Sequence, residues 1–202
     1  MFRGNESLMV GPMSLGLLVH SVHRDFSIGA LESTGAPLSL ALDASGFFEI
    51  AHINGLGEVT NMYTRDGNFT LNNEGVLVTS IGMPVLSESG APIVITGGEI
   101  VIHHDGSVLV DGVHIDTIRL VDFEDLATLR PFGDNLYTTT EESVETAFTG
   151  NVRQGFIETS NVNIVREMVE LISLSRVYET NARMVSIQDQ TLGQAVNDIA
   201  RR

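Results

Sequence analysis

Three histidines and two aspartates cluster around one predicted turn, and such a set could bind a metal ion. They are His103, His104, Asp105, His114 and Asp116. Imidazole and carboxylate groups are common ligands of zinc and related cations. Neighbouring side chains on a strand point to opposite faces, however, so at most one of His103 and His104 can face a given site. The pattern therefore favours solvated hairpin residues, and we predict no metal site and no cofactor.

Other residues imitate chemical sites without completing them. Asp66, Asn68 and Thr70 resemble the start of a calcium loop, but the sixth position is Leu71 and no glutamate follows at the twelfth. The chain has no cysteine, no glycine-x-serine-x-glycine turn and no phosphate-binding loop. The acidic residues within 141–145 are more typical of a solvated loop than of a general-acid pair. We therefore expect no catalytic residue and a protein that is not an enzyme.

The composition limits which partners the chain can bind. Its 202 residues carry a formal charge of −15, and all eleven basic residues are arginine. This balance excludes the basic patch that neutralises nucleic-acid phosphates, so we predict no nucleic-acid partner. No apolar run approaches the roughly 18 residues that span a bilayer, and the early SLGLLVH stretch lacks the basic flank of a secretory signal. We expect no direct membrane insertion and no cleaved signal in this sequence.

The middle of the chain has the pattern of an antiparallel β fold. Residues 25–157 contain short β-branched and aromatic runs separated by turn dipeptides. Asp66-Gly67, Asp105-Gly106 and Asp111-Gly112 each suit the positive φ angles of tight hairpin turns.

Residues 99–123 give the clearest strand pattern in this region. They predict strand, turn, strand, turn, strand. In the last part, Val113, Ile115 and Ile118 interleave with polar residues, as in one buried face of a half-buried sheet.

The last quarter of the chain changes to a helical period. Spacings of four and three run from Ile164 to Ile199, which is the heptad pattern of a coiled-coil seam. The seam residues are Ile164, Met168, Leu171, Ser175, Tyr178, Ala182, Val185, Asp189, Leu192, Val196 and Ile199. Only Ser175 and Asp189 are polar, and they either set the register or mark where the seam drifts off its partner. Ser160, Asn161 and Asn163 offer side-chain oxygens that can cap the helix.

Length and burial energy indicate what this helix requires. A helix over residues 163–201 is about 58 Å long at ~1.5 Å per residue. Its large seam side chains hold roughly 12–24 kcal/mol of gross burial energy, at ~1.5–3 kcal/mol each. Near the start, Val165, Val169 and Ile172 widen the stripe, so this part can touch two partners. The β region is too small to cover such a rod, and no second segment matches its period. We therefore predict that all seam residues except Asp189 form an assembly interface with other molecules or with an N-terminal helix.

Three blocks of sequence carry further motifs. Residues 155–163 contain G-x-x-E-x-S-N-V-N, and the helix that follows contains E-M-x-x-x-I-x-x-x-R-x-Y-E-x-N. The earlier blocks are FSIGALESTGAPLSLALDASGFFEI and YTRDGNFTLNNEGVLVTSIGMPVL. In this order the blocks resemble the flagellar axial proteins, the rod and hook family. The C-terminal motif residues are Gly155, Glu158, Ser160, Asn161, Val162, Asn163, Glu167, Met168, Ile172, Arg176, Tyr178, Glu179 and Asn181.

The resemblance implies a structural subunit of the bacterial flagellar basal-body rod. Its partners would be copies of itself and other rod and hook subunits, and export would use the flagellar type III apparatus without a cleaved signal. Members of this family begin with an N-terminal helix and an asparagine-rich motif, so this chain is expected to start after them. The stretch at residues 90–112 favours the proximal over the distal rod subtype.

We predict a mainly β fold with a long C-terminal α-helix, in three parts. Residues 1–24 would be irregular, residues 25–157 a β-rich outer domain, and residues 158–202 the axial core helix. One alternative is an extracytoplasmic β domain that binds a ligand or divalent cation through its histidines, with the helix as an oligomerisation stalk. A closed trimeric stalk is a third possibility.

Overall fold

The computed structural model describes residues 24–55, 57–133 and 135–200, with the backbone alone at residues 198–200. Apart from Arg24, the predicted irregular segment at residues 1–24 lies outside the described residues. The described chain is mainly β and ends in one long helix, α1 (Ile164–Ala200), which confirms the predicted fold class. The strands are β1 (Leu31–Ser33), β2 (Leu40–Leu42), β3 (Phe47–Ile53), β4 (Val59–Thr64), β5 (Phe69–Leu71), β6 (Leu77–Thr79), β7 (Ile100–Ile102), β8 (Ser107–Val110), β9 (Val113–Thr117), β10 (Leu120–Phe123), β11 (Arg130–Phe132), β12 (Leu136–Thr138), β13 (Glu145–Ala147), β14 (Val152–Gln154) and β15 (Phe156–Glu158).

The largest sheet has six antiparallel strands in the order β11-β12-β4-β3-β10-β13. Its centre is the β3–β4 hairpin, which ends with Ile53 opposite Val59. Strand β3, FFEIAHI, is rich in aromatic and β-branched residues, which favour extended backbone. Because side chains alternate across a strand, Phe48 and Ile50 face one apolar cluster and Phe47 faces another.

Two apolar clusters hold the β region together. The larger includes Leu40, Phe48, Ile50, Leu77, Val85, Ile93, Ile95 and Ile118. The smaller contains Phe47, Tyr63, Val121, Phe123 and Leu129, with Phe26, Leu126 and Tyr137 packed against it. Its rings meet edge to face, with centroids 5.8 Å apart for Phe47 and Phe123 and 5.0 Å apart for Tyr63 and Phe123. Aromatic pairs of this kind add ~0.5–1.5 kcal/mol beyond their area burial.

Strands β7, β8 and β9 form a separate antiparallel sheet, followed by β10. The strand and turn pattern predicted for residues 99–123 is therefore confirmed. Gly106 and Gly112 have φ angles of 86° and 78°, as predicted for the Asp-Gly turns, and Asp111 itself has a φ of 51°.

The predicted buried face of β9 is wrong in part. Val113 and Ile115 are exposed, whereas Ile118, beyond the end of the strand, is buried. The cause is position: β9 lies at the edge of its sheet, and the β8–β9 register shifts between Val108 and Leu109. A bulge of this kind interrupts the simple alternation from which the prediction was made.

The prediction of a hairpin at Asp66-Gly67 is also wrong. Strand β4 pairs with β3 and β12, whereas β5 pairs with β6, so the two strands flanking this dipeptide are not partners. Gly67 has no positive φ; a methyl group there would instead overlap the carbonyl oxygen of Leu40. Glycine is needed at this position for a close approach between backbones, and not for a turn.

Two small sheets bring the two ends of the β region together. Strand β1 pairs with β15, with Leu31 opposite Glu158, and β2 pairs with β14. The chain that enters at residues 24–30 therefore lies beside the chain that leaves at residues 158–163. Helix α1 begins at this place.

Candidate functional site

Helix α1 presents its predicted seam without cover from the rest of the described chain. Every side chain described between Ile164 and Asn197 is exposed, including Ser175, Ala182 and Asp189. The large seam residues are each between 57% and 73% exposed: Ile164, Met168, Leu171, Tyr178, Val185, Leu192 and Val196. The remaining seam residue, Ile199, lies outside the described side chains. The 37-residue helix is about 55 Å long at ~1.5 Å per residue.

Further exposed apolar residues flank the seam on different sides along the helix. In the first third these are Val165, Val169 and Ile172. At about 100° per residue, they lie to one side of the seam, whereas later apolar residues lie to the other. The later residues, which the heptad pattern did not identify, are Leu174, Val177 and Met184, and Ile187 lies opposite the seam. The helix can therefore meet neighbours from different directions along its length.

The polar residues of α1 include three hydroxyls that are bonded within the helix. Ser173, Thr180 and Thr191 each donate a hydrogen bond to the carbonyl oxygen four residues earlier, at 2.8–2.9 Å. Three motif residues on the helix, Arg176, Glu179 and Asn181, are exposed.

The motif residues Ser160, Asn161, Val162 and Asn163 link β15 to α1. Asn163 caps the helix, because its Oδ1 accepts a hydrogen bond from the backbone N–H of Arg166 at 3.1 Å. Ser160 Oγ accepts a bond from the Val162 N–H at 3.2 Å. Two of the three predicted capping side chains thus lie in or near the cap, and the third, Asn161, turns away from it.

Asn161 bonds back to the chain that enters the β region. Its Nδ2 donates to the carbonyl oxygens of Asp25 and Ser27, at 3.2 and 3.1 Å, and contacts Ser27 Oγ at 3.0 Å. Nearby, the Thr159 N–H donates to the Ala30 carbonyl at 2.8 Å. A methyl group on Gly29 would overlap the Thr159 carbonyl oxygen, so the two segments are in close backbone contact.

Arg65, which belongs to a third segment of the chain, forms an ion pair at this contact. Arg65 Nε lies 3.4 Å from Glu158 Oε2, and the two side chains are only 14% and 12% exposed. Arg65 Nη1 also donates to the Phe26 carbonyl at 2.8 Å, while Glu158 Oε1 accepts from the Gly29 N–H at 2.9 Å. We call this set the helix junction: residues 25–30, Arg65 and residues 158–163. It unites all three motif blocks, and sequence reasoning did not identify it; the only signal was an arginine and a glutamate, one in each of two separate motifs.

A groove of about 430 Å³ runs along the helix junction. It is lined by Asp25, Phe26, Ser27, Arg65, Asp66, Asn135, Tyr137, Glu158, Thr159, Ser160 and Asn161. The groove is acidic at its rim, and a hydrogen bond from the Ser27 N–H lowers the pKa of Asp25. Its one arginine is already engaged by Glu158. The groove therefore lacks the free positive charge that would attract an anionic ligand.

A buried polar cluster links strands β3, β4 and β13. Glu49 is 2% exposed, is ion-paired with Arg119, and accepts a bond from Asn61 Nδ2 at 2.6 Å. The Tyr63 hydroxyl donates to Glu145 Oε1 at 2.5 Å, and Arg119 Nη2 lies 3.5 Å from Glu145 Oε2. Burial raises the pKa of the Glu49 carboxyl, and burial together with Glu145 raises the pKa of Tyr63. Such pairing stabilises a cross-strand link; the sequence signal for it was one glutamate within the apolar strand FFEIAHI.

Three residues of the histidine cluster form a surface turn, whereas His114 and Asp116 lie on strand β9. His103, His104 and Asp105 connect β7 to β8, and the Gly106 N–H donates to the His103 carbonyl at 3.0 Å. Asp105 Oδ1 accepts bonds from Ser107, which lower the pKa of this carboxyl. Within the described ranges, no group of three or more histidine, aspartate or glutamate side chains could hold a metal ion.

Among the helices of the described residues, none has the length and apolar composition needed to cross a bilayer.

Two family descriptions match the chain. Residues 41–110 match "Flagellar hook protein FlgE/F/G D1 domain", and residues 153–198 match "Flagellar basal body rod FlgEFG protein C-terminal". The chain is 38% identical to the flagellar basal-body rod protein FlgF of Caulobacter vibrioides, over 89% of this chain and 73% of that protein. It is 36% identical to FlgG of Buchnera aphidicola, over 93% of this chain and 75% of the relative. The identity to FlgG of Bacillus subtilis is 32%, over 96% and 76%.

Proposed function

Because this chain belongs to the flagellar hook and basal-body rod family, we propose that it is a structural subunit of the bacterial flagellar basal-body rod. The resemblance inferred from its sequence motifs is thereby confirmed. Both FlgF and FlgG proteins are among the relatives, so the proximal subtype favoured by residues 90–112 stays a prediction. The relatives are structural rod proteins, and we assign the chain no enzymatic reaction.

The observation that carries this function is the exposed apolar seam of α1. Seven large seam side chains with described surroundings hold roughly 10–20 kcal/mol of gross burial energy, at ~1.5–3 kcal/mol each. A helix that exposes so much apolar surface gains stability only by packing against other helices. We propose that the seam residues Ile164 to Ile199, except Asp189, pack in the axial core of the rod.

The partners of the seam are other subunits of the same assembly. Copies of this chain and other rod or hook subunits would be related by a helical operation, so each contact joins two different surfaces and the array stays open. The β region, residues 25–157, would form the outer part, and residues 158–202 would form the core. Torque would then pass through many parallel contacts, and no covalent bond is made or broken.

We place the chain in the flagellar basal body, in the rod that crosses the periplasm. Export through the flagellar type III apparatus without a cleaved signal is part of this proposal. The alternative of a ligand- or cation-binding β domain on a helical stalk is not favoured, because the relatives are rod proteins. The surface turn at residues 103–106 also offers no converging set of ligands.

Deletion of the coding sequence tests the proposal in the bacterium that encodes it. Cryo-electron tomography should show basal bodies without a complete rod, and cells should not swim. The native chain supplied in trans should restore both, whereas a chain that ends at Asn163 should restore neither because it lacks the seam. Complete rods and normal swimming after deletion would overturn the proposal.

A further inference from the structure

The helix junction joins the two directions in which the chain enters and leaves the β region. Residues 25–30 are bonded to residues 158–161 by Gly29, Thr159 and Asn161. Arg65 comes from the β4–β5 connection and bonds to both segments, through the Phe26 carbonyl and the Glu158 carboxylate. An arginine suits this place because its planar guanidinium presents several donors in fixed directions.

Downstream of the junction, the described chain gives α1 no other support. All described side chains from Ser160 to Asn197 are exposed, so among the described residues the direction of α1 depends on the few that hold its first turn. A tilt of about 10° at residue 163 moves the far end of a helix of about 55 Å sideways by about 10 Å, which is about the diameter of a helix. Knobs-into-holes packing requires a much closer match than that.

We propose that Arg65, Glu158 and Asn161 are positioning residues that fix the direction in which α1 leaves the β region. This inference rests on the rod function proposed above, and it assigns these motif residues a role in presenting the seam to neighbouring subunits. Glu158 and Arg65 set the end of β15, and Asn161 holds the link beside residues 25–27. The same contacts place residues 25–27 beside the link that leads into α1.

Spin labels measure this direction without an assembled rod. The chain has no cysteine, so a pair of cysteines can be introduced in one chain, one in place of Thr70 on β5 and one in place of Ser173 in the helix. Both side chains are exposed. Position 173 lies close to the cap, which keeps fraying of the distal helix out of the measurement. Double electron–electron resonance then gives the distribution of distances between the two labels.

The expected result is a narrow distribution in the native background and at least a doubled width in Arg65→Met and Glu158→Gln. Arg65→Lys should recover part of the narrowing, because it keeps the charge but not the guanidinium geometry. Arg153→Met is the control, since it removes an ion pair with Asp43, at 3.8 Å, whose two residues do not belong to the helix junction. Asn161→Ala alters an exposed residue and keeps the ion pair, so it tests the idea even if an ion-pair variant fails to fold.

Two results would overturn the inference. One is a distribution that is already broad in the native background; the other is a width in Arg65→Met, Glu158→Gln and Asn161→Ala that equals that of Arg153→Met. A swimming assay adds the link to assembly: Arg65→Met cells should spread less in soft agar than Arg153→Met cells, and equal spreading would contradict that link. Failure of the rod function itself would appear separately, as complete rods after deletion of the coding sequence.

Discussion

Replacing Leu171 by aspartate separates the role of the seam from the stability of the β region. Leu171 lies in the first half of α1 and is 69% exposed. Full burial of a leucine is worth ~1.5–3 kcal/mol, so the surface still exposed is worth about 1–2 kcal/mol on assembly. Each tenfold change in affinity corresponds to about 1.4 kcal/mol, so the loss amounts to about 5- to 30-fold per contact. Burial of the new carboxylate without a partner weakens the contact further.

Assembly should be measured on purified chains and in cells. Sedimentation velocity over a range of concentrations gives the concentration at which the native chain and each variant associate, and tomography of basal bodies reports on the rod. Ser173→Asp is the matched control: it adds the same charge two residues away, on the roughly opposite face of the helix. Leu171→Asn removes the apolar side chain without adding charge and so separates lost burial from desolvation.

Leu171→Asp and Ser173→Asp should differ only in assembly. Urea unfolding of the β region should be unchanged in both, because neither side chain packs into its core. Assembly by Leu171→Asp at the same concentration as Ser173→Asp would refute the assignment of Leu171 to an interface. A lower unfolding midpoint in Leu171→Asp would show instead that the seam packs within the chain.

Three further changes test separate parts of the fold. A chain that ends at Asn163 should unfold at the same urea concentration as the full chain, because the described helix side chains are exposed; a clear drop would mean that α1 stabilises the β region. Gly67→Ala should lower the free energy of unfolding by ~1–3 kcal/mol, since the methyl group overlaps the Leu40 carbonyl, whereas Gly55→Ala, which has open space around it and no positive φ, serves as the packing control. The raised pKa of Glu49 means that the folded state binds this proton more tightly than the unfolded chain, so its contribution to stability falls as pH rises above the ordinary value of 4.5. Glu49→Gln cannot titrate and should therefore gain stability relative to the native chain between pH 4 and 6 in urea unfolding; a difference that is constant or moves the other way would contradict the raised pKa.

The helix and two of the three Asp-Gly turns could be predicted because their signals are local. Heptad spacing fixes which face of α1 is apolar whatever the helix packs against, and an Asp-Gly pair adopts positive φ angles within its own turn. Gly67 shows the limit of this reasoning. Its glycine is required by the backbone of Leu40, which is distant in sequence, and the same dipeptide elsewhere in the chain does make a turn.

The helix junction could not be predicted from the sequence because its partners are far apart along the chain. Arg65 and Glu158 each lie within a separate motif, and neither motif indicates which residue pairs with the charged side chain. The edge position of β9 could not be predicted either. The alternation of Val113 and Ile115 with polar residues predicts a buried face only if another layer covers that face. Pairing order and layer contacts are properties of the whole fold, and local pattern does not carry them.

The three hydroxyls that bond within α1 affect the free energy of packing a neighbour against the side of the helix opposite the seam. An unbonded serine or threonine hydroxyl costs free energy when it is moved from water into an apolar contact. Ser173, Thr180 and Thr191 already donate to carbonyl oxygens of their own helix, so neighbours need not supply acceptors for them. At Thr180 and Thr191 a neighbouring subunit can therefore pack against the side opposite the seam without a matching polar group, whereas near Ser173 the exposed ion pair of Arg166 and Glu170 keeps this side in water.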